Sequence, residues 1–349
     1  EEREAIRALK GAMLRSEVFA LDGSERASNP YSVTEQQFEI RILEARGPNQ
    51  HAVFLTHQRE SVTRHTERRP DDPRVVQTAT LEIDDFGNVL RSASVAYGRL
   101  QPDATLAPGD QAEQSQHHVT ITDVAVTSPI DAPDDHRAPV PCETRSFELT
   151  GLPPPAVRYT VDELRAAWGD AAEIAYETKP TAGGIEKRVI EHTRVLFRKA
   201  DLSGPLPLGQ LDAMAIPFET YQLALTPGLV AQVFGNRVSD AMLATDGRYV
   251  HSEGDRRWWI PSGRIAFATA GSAAHELAEA RTHFFAPRRY VDPFGHATEI
   301  TYDGYDLLVR EARDAVGNTT VARNDYRVLA PSVVTDPNGN RSAVAFDAL

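Results

Sequence analysis

Few side chains in this sequence are spaced for chemistry. The best placed are His275-Glu276-Leu277-Ala278-Glu279 and His283. On a helix His275, Glu279 and His283 fall at i, i+4 and i+8 on one face, as metal ligands do. The run departs from His-Glu-x-x-His, because Glu279 stands where the second histidine belongs. Phe284-Phe285-Ala286-Pro287 reads as extended, so the helix ends before His283, and a solvated helical face is the favoured reading. Asp-rich turns offer oxygen to Ca²⁺, but that ion wants several ligands and each turn brings one. Asx-type turns explain the same aspartates. Trp258-Trp259 near Tyr249 would suit a sugar, yet strand neighbours point to opposite faces, so core packing is preferred. Ser262 lacks the Gly-x-Ser-x-Gly frame of a nucleophile elbow, and Gly183-Gly184 lacks the Lys-Ser/Thr of a phosphate loop. His117-His118 reads as solvated beside a polar loop, and Cys142 has no basic neighbour in sequence to activate it. No catalytic, cofactor-binding or metal-binding residue is assigned, and no hydrolase or transferase activity is expected.

The elements that would position such residues are those of an ordinary globular chain in pieces. With 349 residues, two or three units are expected. Apolar content of 41% and charged content of 25% are typical of globular proteins. A net charge of −13 argues against nucleic acid and against an anionic membrane surface. No run approaches the roughly 18 apolar residues of a transmembrane helix, and no signal leader stands in these residues. The lone Cys142 excludes a disulfide within the chain.

Glu2 to Leu14 has helical spacing. Strands follow: Phe38, Ile40 and Ile42 alternate with Glu39 and Arg41, and Ala52–Leu55, Val75–Leu81, Val119–Ile121 and Phe147–Leu149 read alike. Pro102 to Gln116 and Pro129 to Pro141 are polar connections. After Gly151-Leu152-Pro153-Pro154-Pro155 the character becomes mixed. Thr160 with Glu163 forms a capping box before a helix carrying Leu164, Ala167 and Trp168. Val189–Phe197 reads as strand, Pro217–Leu225 and Pro227–Phe234 as two short helices, Tyr249–His251 and Trp258–Ile260 as strands, and Ala273–Arg281 as a helix. The expected division is 1–150 β-rich, 151–289 mixed α/β, and 290–349 repeats; the fold class is mainly β with a mixed α/β insert.

The last 60 or so residues carry one frame three times: Asp292-Pro293-Phe294-Gly295-His296, Asp314-Ala315-Val316-Gly317-Asn318 and Asp336-Pro337-Asn338-Gly339-Asn340. Their glycines fall at 295, 317 and 339, a period of 22 both times. A fourth copy, Asp84-Asp85-Phe86-Gly87-Asn88, lies far upstream. At ordinary glycine usage of about 7%, chance supplies well under one such frame. The aspartate can accept backbone N–H groups further on, and glycine takes φ > 0 without strain. Asp84, Gly87, Asp292, Gly295, Asp314, Gly317, Asp336 and Gly339 are therefore expected to form tight turns. Between turns Ile300, Tyr302 and Leu307, then Val321 and Tyr326, then Val344 and Phe346 are expected in strands. Each glycine is followed by an aromatic (Tyr97, Tyr302, Tyr326, Phe346), twice as Tyr302-Asp303 and Phe346-Asp347. Such units bury by stacking what none buries alone.

Asp-Pro-x-Gly-Asn turns with a following Tyr-Asp resemble the YD, or Rhs, repeat. Glu2–Gly11, Pro141-Cys142-Glu143-Thr144-Arg145, Thr226-Pro227-Gly228-Leu229 and Trp258–Gly263 resemble the middle-to-C-terminal region of the B component of insecticidal toxin complexes (Tc toxins). The resemblance implies a wall segment of a hollow β-shell that encapsulates a cytotoxic effector polypeptide. It implies a toxin C component that completes the shell, and an A-component translocation channel docked through regions not in this chain. It also implies a secreted or extracellular setting. The alternative is a cell-surface glycan- or calcium-binding YD-repeat protein using Trp258, Trp259 and the turn aspartates. Because the repeat breaks off at Phe346-Asp347, the chain is expected to be a piece of a longer protein, with a loose edge near residues 330–349.

Overall fold

The computed structural model describes residues 1–181 and 183–347. Two compact units divide the chain: residues 1–126 with 144–192, and residues 127–143 with those from 193 onward. This cuts across the division expected at 150 and 289. Segments distant in sequence complete each unit, and local patterning is blind to such returns.

In the first unit β1 (Arg15–Val18), β2 (Ser32–Glu44), β3 (Val53–His65), β4 (Arg74–Ile83), β5 (Val89–Ala96) and β6 (His118–Val126) pair antiparallel in succession. Helix α1 (Glu2–Ala8) precedes them. The connection Pro102 to Gln116, expected to be irregular, holds a short exposed helix, α2 (Pro108–Gln114), with its proline in the first turn. Period-2 patterning puts Ala79 and Leu81, Ala93 and Val95, and Val119 and Ile121 on one face. Helix α3 (Val161–Asp170) covers it with Val161, Leu164 and Ala167. The capping box fixes where α3 begins: the Glu163 N–H donates to Thr160 Oγ1 at 3.2 Å, and the Thr160 N–H to Glu163 Oε2 at 2.7 Å. Leu164 and Ile121 have no exposed surface; burial of one such side chain contributes about 1.5–3 kcal/mol.

One polar cluster enters this core. Gln77, also without exposed surface, donates to Glu60 at 3.2 Å and to the Tyr159 carbonyl at 2.8 Å. The Tyr97 hydroxyl donates to Gln77 and accepts the Tyr159 N–H at 2.8 Å; burial pushes that hydroxyl up to about 12. His117, expected to be solvated, is instead half-buried against Tyr97 and Tyr159. Its Nδ1 accepts the Gly98 N–H at 2.9 Å, and burial, then the His118 charge, lowers its pKa.

The chain next forms a ribbon of β7 (Ile130–Asp131) and β8 (His136–Arg137), which belongs to the second unit. Then come β9 (Pro141–Thr150), a short β10 (Ala172–Ile174), and β11 (Glu186–Phe197), to which β10 is parallel. In the second unit β12 (Pro217–Leu225) lies between the end of β11 and β13 (Trp258–Pro261). This corrects the helix expected at Pro217–Leu225. The β-formers Phe218, Thr220 and Tyr221 and partners on both sides override the helical reading of its opening proline, and proline is tolerated as the first strand residue. The next segment is helical, as expected: α4 (Pro227–Phe234) is capped by Thr226 and stopped at Gly235, φ +59°. Of Tyr249–His251 only Val250 pairs, through a single bridge to Trp259.

The rest is a seven-stranded antiparallel sheet in chain order: β14 (Arg264–Ala266), β15 (Arg289–Val291), β16 (Ala297–Tyr302), β17 (Val309–Arg313), β18 (Thr319–Asp325), β19 (Ala330–Thr335) and β20 (Arg341–Ala343). Helix α5 (Ala273–Thr282) links β14 to β15. The edge expected to be loose contains the paired strands β19 and β20; its last residues, Ala348 and Leu349, lie outside the described residues. Among the described residues no helix is long and apolar enough to cross a membrane.

Candidate functional site: two rows of aspartate turns

The four predicted turns share one geometry. Oδ1 of Asp84, Asp292, Asp314 and Asp336 accepts the N–H groups two and four residues on, at 2.8–3.0 Å. Oδ2 accepts the side-chain amides of Asn88, Asn318 and Asn340 at 2.8 Å, and meets His296 Nδ1 at 3.1 Å in the remaining copy. The glycines stand at φ +87° (Gly87), +86° (Gly295), +90° (Gly317) and +82° (Gly339), backbone that side-chain-bearing residues resist. The Asn318 and Asn340 amides, helped by backbone N–H groups, hold the Asp314 and Asp336 carboxyls below the usual carboxylate range. At Asp84 and Asp292 burial pushes upward and is outweighed by backbone N–H groups together with the Asn88 amide and the His296 ring respectively.

The opposite ends of the strands carry turns that a search for the glycine frame misses. Asp303 Oδ1 accepts the N–H groups of Tyr305 and Leu307, both at 3.0 Å, while Asp306 takes the left-handed position at φ +54°. Asp325 Oδ1 accepts the Arg327 N–H at 3.0 Å, and Leu329 stands at φ +53°. Leu307 and Tyr326, expected in strands, belong to these turns, and Val344 and Phe346 follow the last strand. The signal was present: aspartates fall at 292, 303, 314, 325, 336 and 347, one every 11 residues. Each arm of the sheet is thus about 11 residues long, and the described turns in this series alternate between two rows. Successive turns of the far row touch. The Tyr326 hydroxyl donates to Asp303 Oδ2 at 2.6 Å, and its ring meets Tyr305 edge-on at 5.9 Å. That bond is the largest cause of the lowered Asp303 and raised Tyr326 pKa values.

Between the rows the sheet has two unlike faces. Arg289, Glu299 and Arg313 stand in register on one, with Thr301, Glu311, Val321, Thr335 and Arg341 in a second line. On the other, the lines Ile265–Tyr290–Thr298, Ile300–Ala312–Thr320 and Ala322–Val334–Ser342 carry no charge. None of the described residues from 289 to 347 is fully buried.

The other candidate groups are occupied structurally. His283 ends α5; its Nδ1 lies 2.7 Å from Asp306 and its Nε2 3.5 Å from Glu279. His275 N–H donates to its cap, Ser272. Among the described residues no group of three or more His, Cys, Asp or Glu could hold a metal. Both Trp258 and Trp259 are buried, the latter beneath the Arg194 guanidinium at 4.3 Å, so neither offers a sugar a face. Ser262 Oγ accepts the Thr220 N–H and donates to the Gly263 carbonyl. Burial, then the Glu143 charge, pushes the Cys142 thiol up. The turn carboxylates spend their oxygens on N–H donors, which leaves them poor cation ligands.

Residues 4–129 match the family model described as the insecticide toxin TcdB middle/C-terminal region. No curated protein matches the chain. Among solved structures the chain resembles the TcdB2-TccC3 complex at a TM-score of 0.65 and 24% identity, over 99% of this chain and 16% of that one. The TcdB2-TccC3-Cdc42 complex matches at 0.64 and 24%, with the same coverage. A Tc holotoxin pore of Photorhabdus luminescens, in a mutated form, matches at 0.64 and 23%, again over 99% and 16%. This chain therefore has the fold of a segment about one-sixth the length of those chains.

Proposed function

We propose that this chain is a wall segment of the hollow β-shell of a Tc-type toxin B component. In this reading the shell encloses a cytotoxic effector polypeptide, a toxin C component completes it, and the A-component channel docks through regions outside this chain. The assembly works outside the cell that makes it, and the segment itself performs no catalysis. The observation that carries the reading is the fold likeness to TcdB2-TccC3 across 99% of the chain.

The repeat sheet supports it physically. A wall must extend by adding equal units, and arms of about 11 residues closed by aspartate turns do that without a private core for each unit. Buried tryptophans and engaged turn carboxylates weigh against the glycan- or calcium-binding alternative. The direct test is co-expression of the full-length parent protein with its C component, followed by protease treatment. An effector that stays intact until the assembly is denatured is expected. Digestion of the effector at the rate of the unassembled polypeptide would refute encapsulation.

A further inference from the structure

A cleft in the first unit has no part in the wall reading. It measures about 580 Å³ and opens where the β3–β4 connection meets the loops around Arg26 and Arg99. Four guanidiniums and His65 line it, facing three carboxylates. Two of those carboxylates are already taken. Asp72 accepts Arg99 Nε and Nη2 at 2.9 and 2.7 Å and the N–H groups of Leu100 and Gln101 at 3.0 and 3.2 Å. Glu67 is paired with Arg74. That leaves Arg26, Arg69 and His65 against Asp71. Among the described residues neither Arg26 nor Arg69 forms an ion pair, in a chain whose net charge is −13.

The backbone that presents these groups is held under strain. Glu67 and Arg68 are consecutive left-handed residues without glycine, at φ +46° and +65°. A cage of bonds enforces them. The Thr66 and Glu67 N–H groups donate to the Tyr31 carbonyl at 2.9 and 3.0 Å, and the Arg68 N–H to the Pro30 carbonyl at 3.1 Å. The Arg68 guanidinium grips Asp22 at 2.7 Å and the Arg26 carbonyl at 3.0 Å. It pulls the Asp22 carboxyl down to about 2, by its own hydrogen bond first and the Ser24 N–H second. The cage therefore ties residue 26 to residues 66–69, and it does so with Arg68, leaving the neighbouring Arg69 to the cleft. Guanidiniums carried by two loops whose backbones are tied together suit a tetrahedral oxyanion, because the planar fork meets two oxygens at once.

We propose that this cleft binds a phosphate-class oxyanion through Arg26 and Arg69, with His65 as a further donor and Arg74 and Arg99 held in place by Glu67 and Asp72. The phosphate is either free or the exposed headgroup of a phosphomonoester lipid, since both present the same oxygens.

The test is titration of inorganic phosphate into the protein, read by calorimetry, with chloride at matched ionic strength as the control. Saturable binding is expected, weakened at least about tenfold in the Arg26→Gln/Arg69→Gln double variant, the order set by losing one charge-assisted hydrogen bond. Both positions are exposed, so the variant should unfold at the wild-type temperature; Arg69→Lys, which keeps the charge and loses the fork, should fall between. Vesicles containing phosphatidic acid in phosphatidylcholine distinguish the sources. Retention that depends on Arg26 and Arg69 assigns the headgroup, and phosphate binding without retention assigns the free anion. No saturable phosphate binding, or binding equal in wild type and double variant, overturns the proposal.

Discussion

The turn frame occurs in two settings in this molecule. At Asp84 it sits in a sheet with a true core, and at Asp292, Asp314 and Asp336 in one without. The carboxylate geometry is the same in all four. What differs is the surroundings. A Cβ on Gly87 would meet Leu55 at 3.0 Å, whereas one on Gly295 would meet nothing within 4 Å. The aromatic after the upstream turn, Tyr97, joins the buried Gln77 network; Tyr326, after a downstream turn, stays about half exposed and bonds Asp303 of the preceding far-row turn. The lesson is that this turn is self-contained. It closes a strand pair whether or not a core lies beneath it, which is what an extendable wall needs.

The largest expected effect separates the two regions by burial. Leu164→Ala in the first unit should cost about 2–5 kcal/mol in denaturant unfolding. Ile300→Ala, on a half-buried strand of the repeat sheet, should cost no more than about 1–2 kcal/mol. Equal losses would erase the distinction between a cored and a coreless sheet.

Next comes backbone strain, isolated from packing by the open space at Gly295. Gly295→Ala should destabilise by about 1–2 kcal/mol, and Gly295→Val by more. Gly87→Ala should exceed Gly295→Ala, because Leu55 must also move. A Gly295→Val protein as stable as wild type would show that the positive φ is not required.

Smaller again is Asn318→Ala, which removes one donor to Asp314 and should cost about 1 kcal/mol. Local loss of amide protection at Val316 and Asn318, with none at Asp336, would locate the effect. Loss spreading evenly through residues 290–347 would mean the turns are coupled and not self-contained.

The smallest effect is titration. A carboxyl with a depressed folded pKa stabilises the fold above its unfolded value and loses that contribution as pH falls through the folded one. For Asp325, held from 3.8 down to about 2, chiefly by the Arg327 side chain, the window is pH 3.8 to 2. Asp314 and Asp336 should follow in the same direction. Carboxyl ¹³C shifts should show all three titrating below the ordinary aspartate value; ordinary titration would mean the donors are not engaged in solution.

The Asp-x-x-Gly frame was legible because it is local: one residue caps, another takes positive φ, and both lie within five positions. Strands β2, β4 and β6 were legible for the same reason, through period 2. The far turns were not, because Asp306 fills the glycine's place after Asp303, and after Asp325 the positive φ falls one position later, on Leu329, so the glycine marker is missing; only the 11-residue spacing of aspartates betrays them. Pro217–Leu225 misled because its opening proline suits a helix start, while its strand pairing comes from partners elsewhere in the sequence. The burial of Trp258 and Trp259 was inferable from strand alternation only in part, since alternation permits one of them to face solvent.

The proposal that these turns and strands form the wall of a hollow body is open to direct observation. Electron microscopy of this segment within the proposed B component, assembled with a C component, tests it most directly. A closed shell around an internal cavity is expected, with residues 289–347 running as consecutive strands of its wall. A solid particle, or a shell in which those residues lie outside the wall, would contradict it.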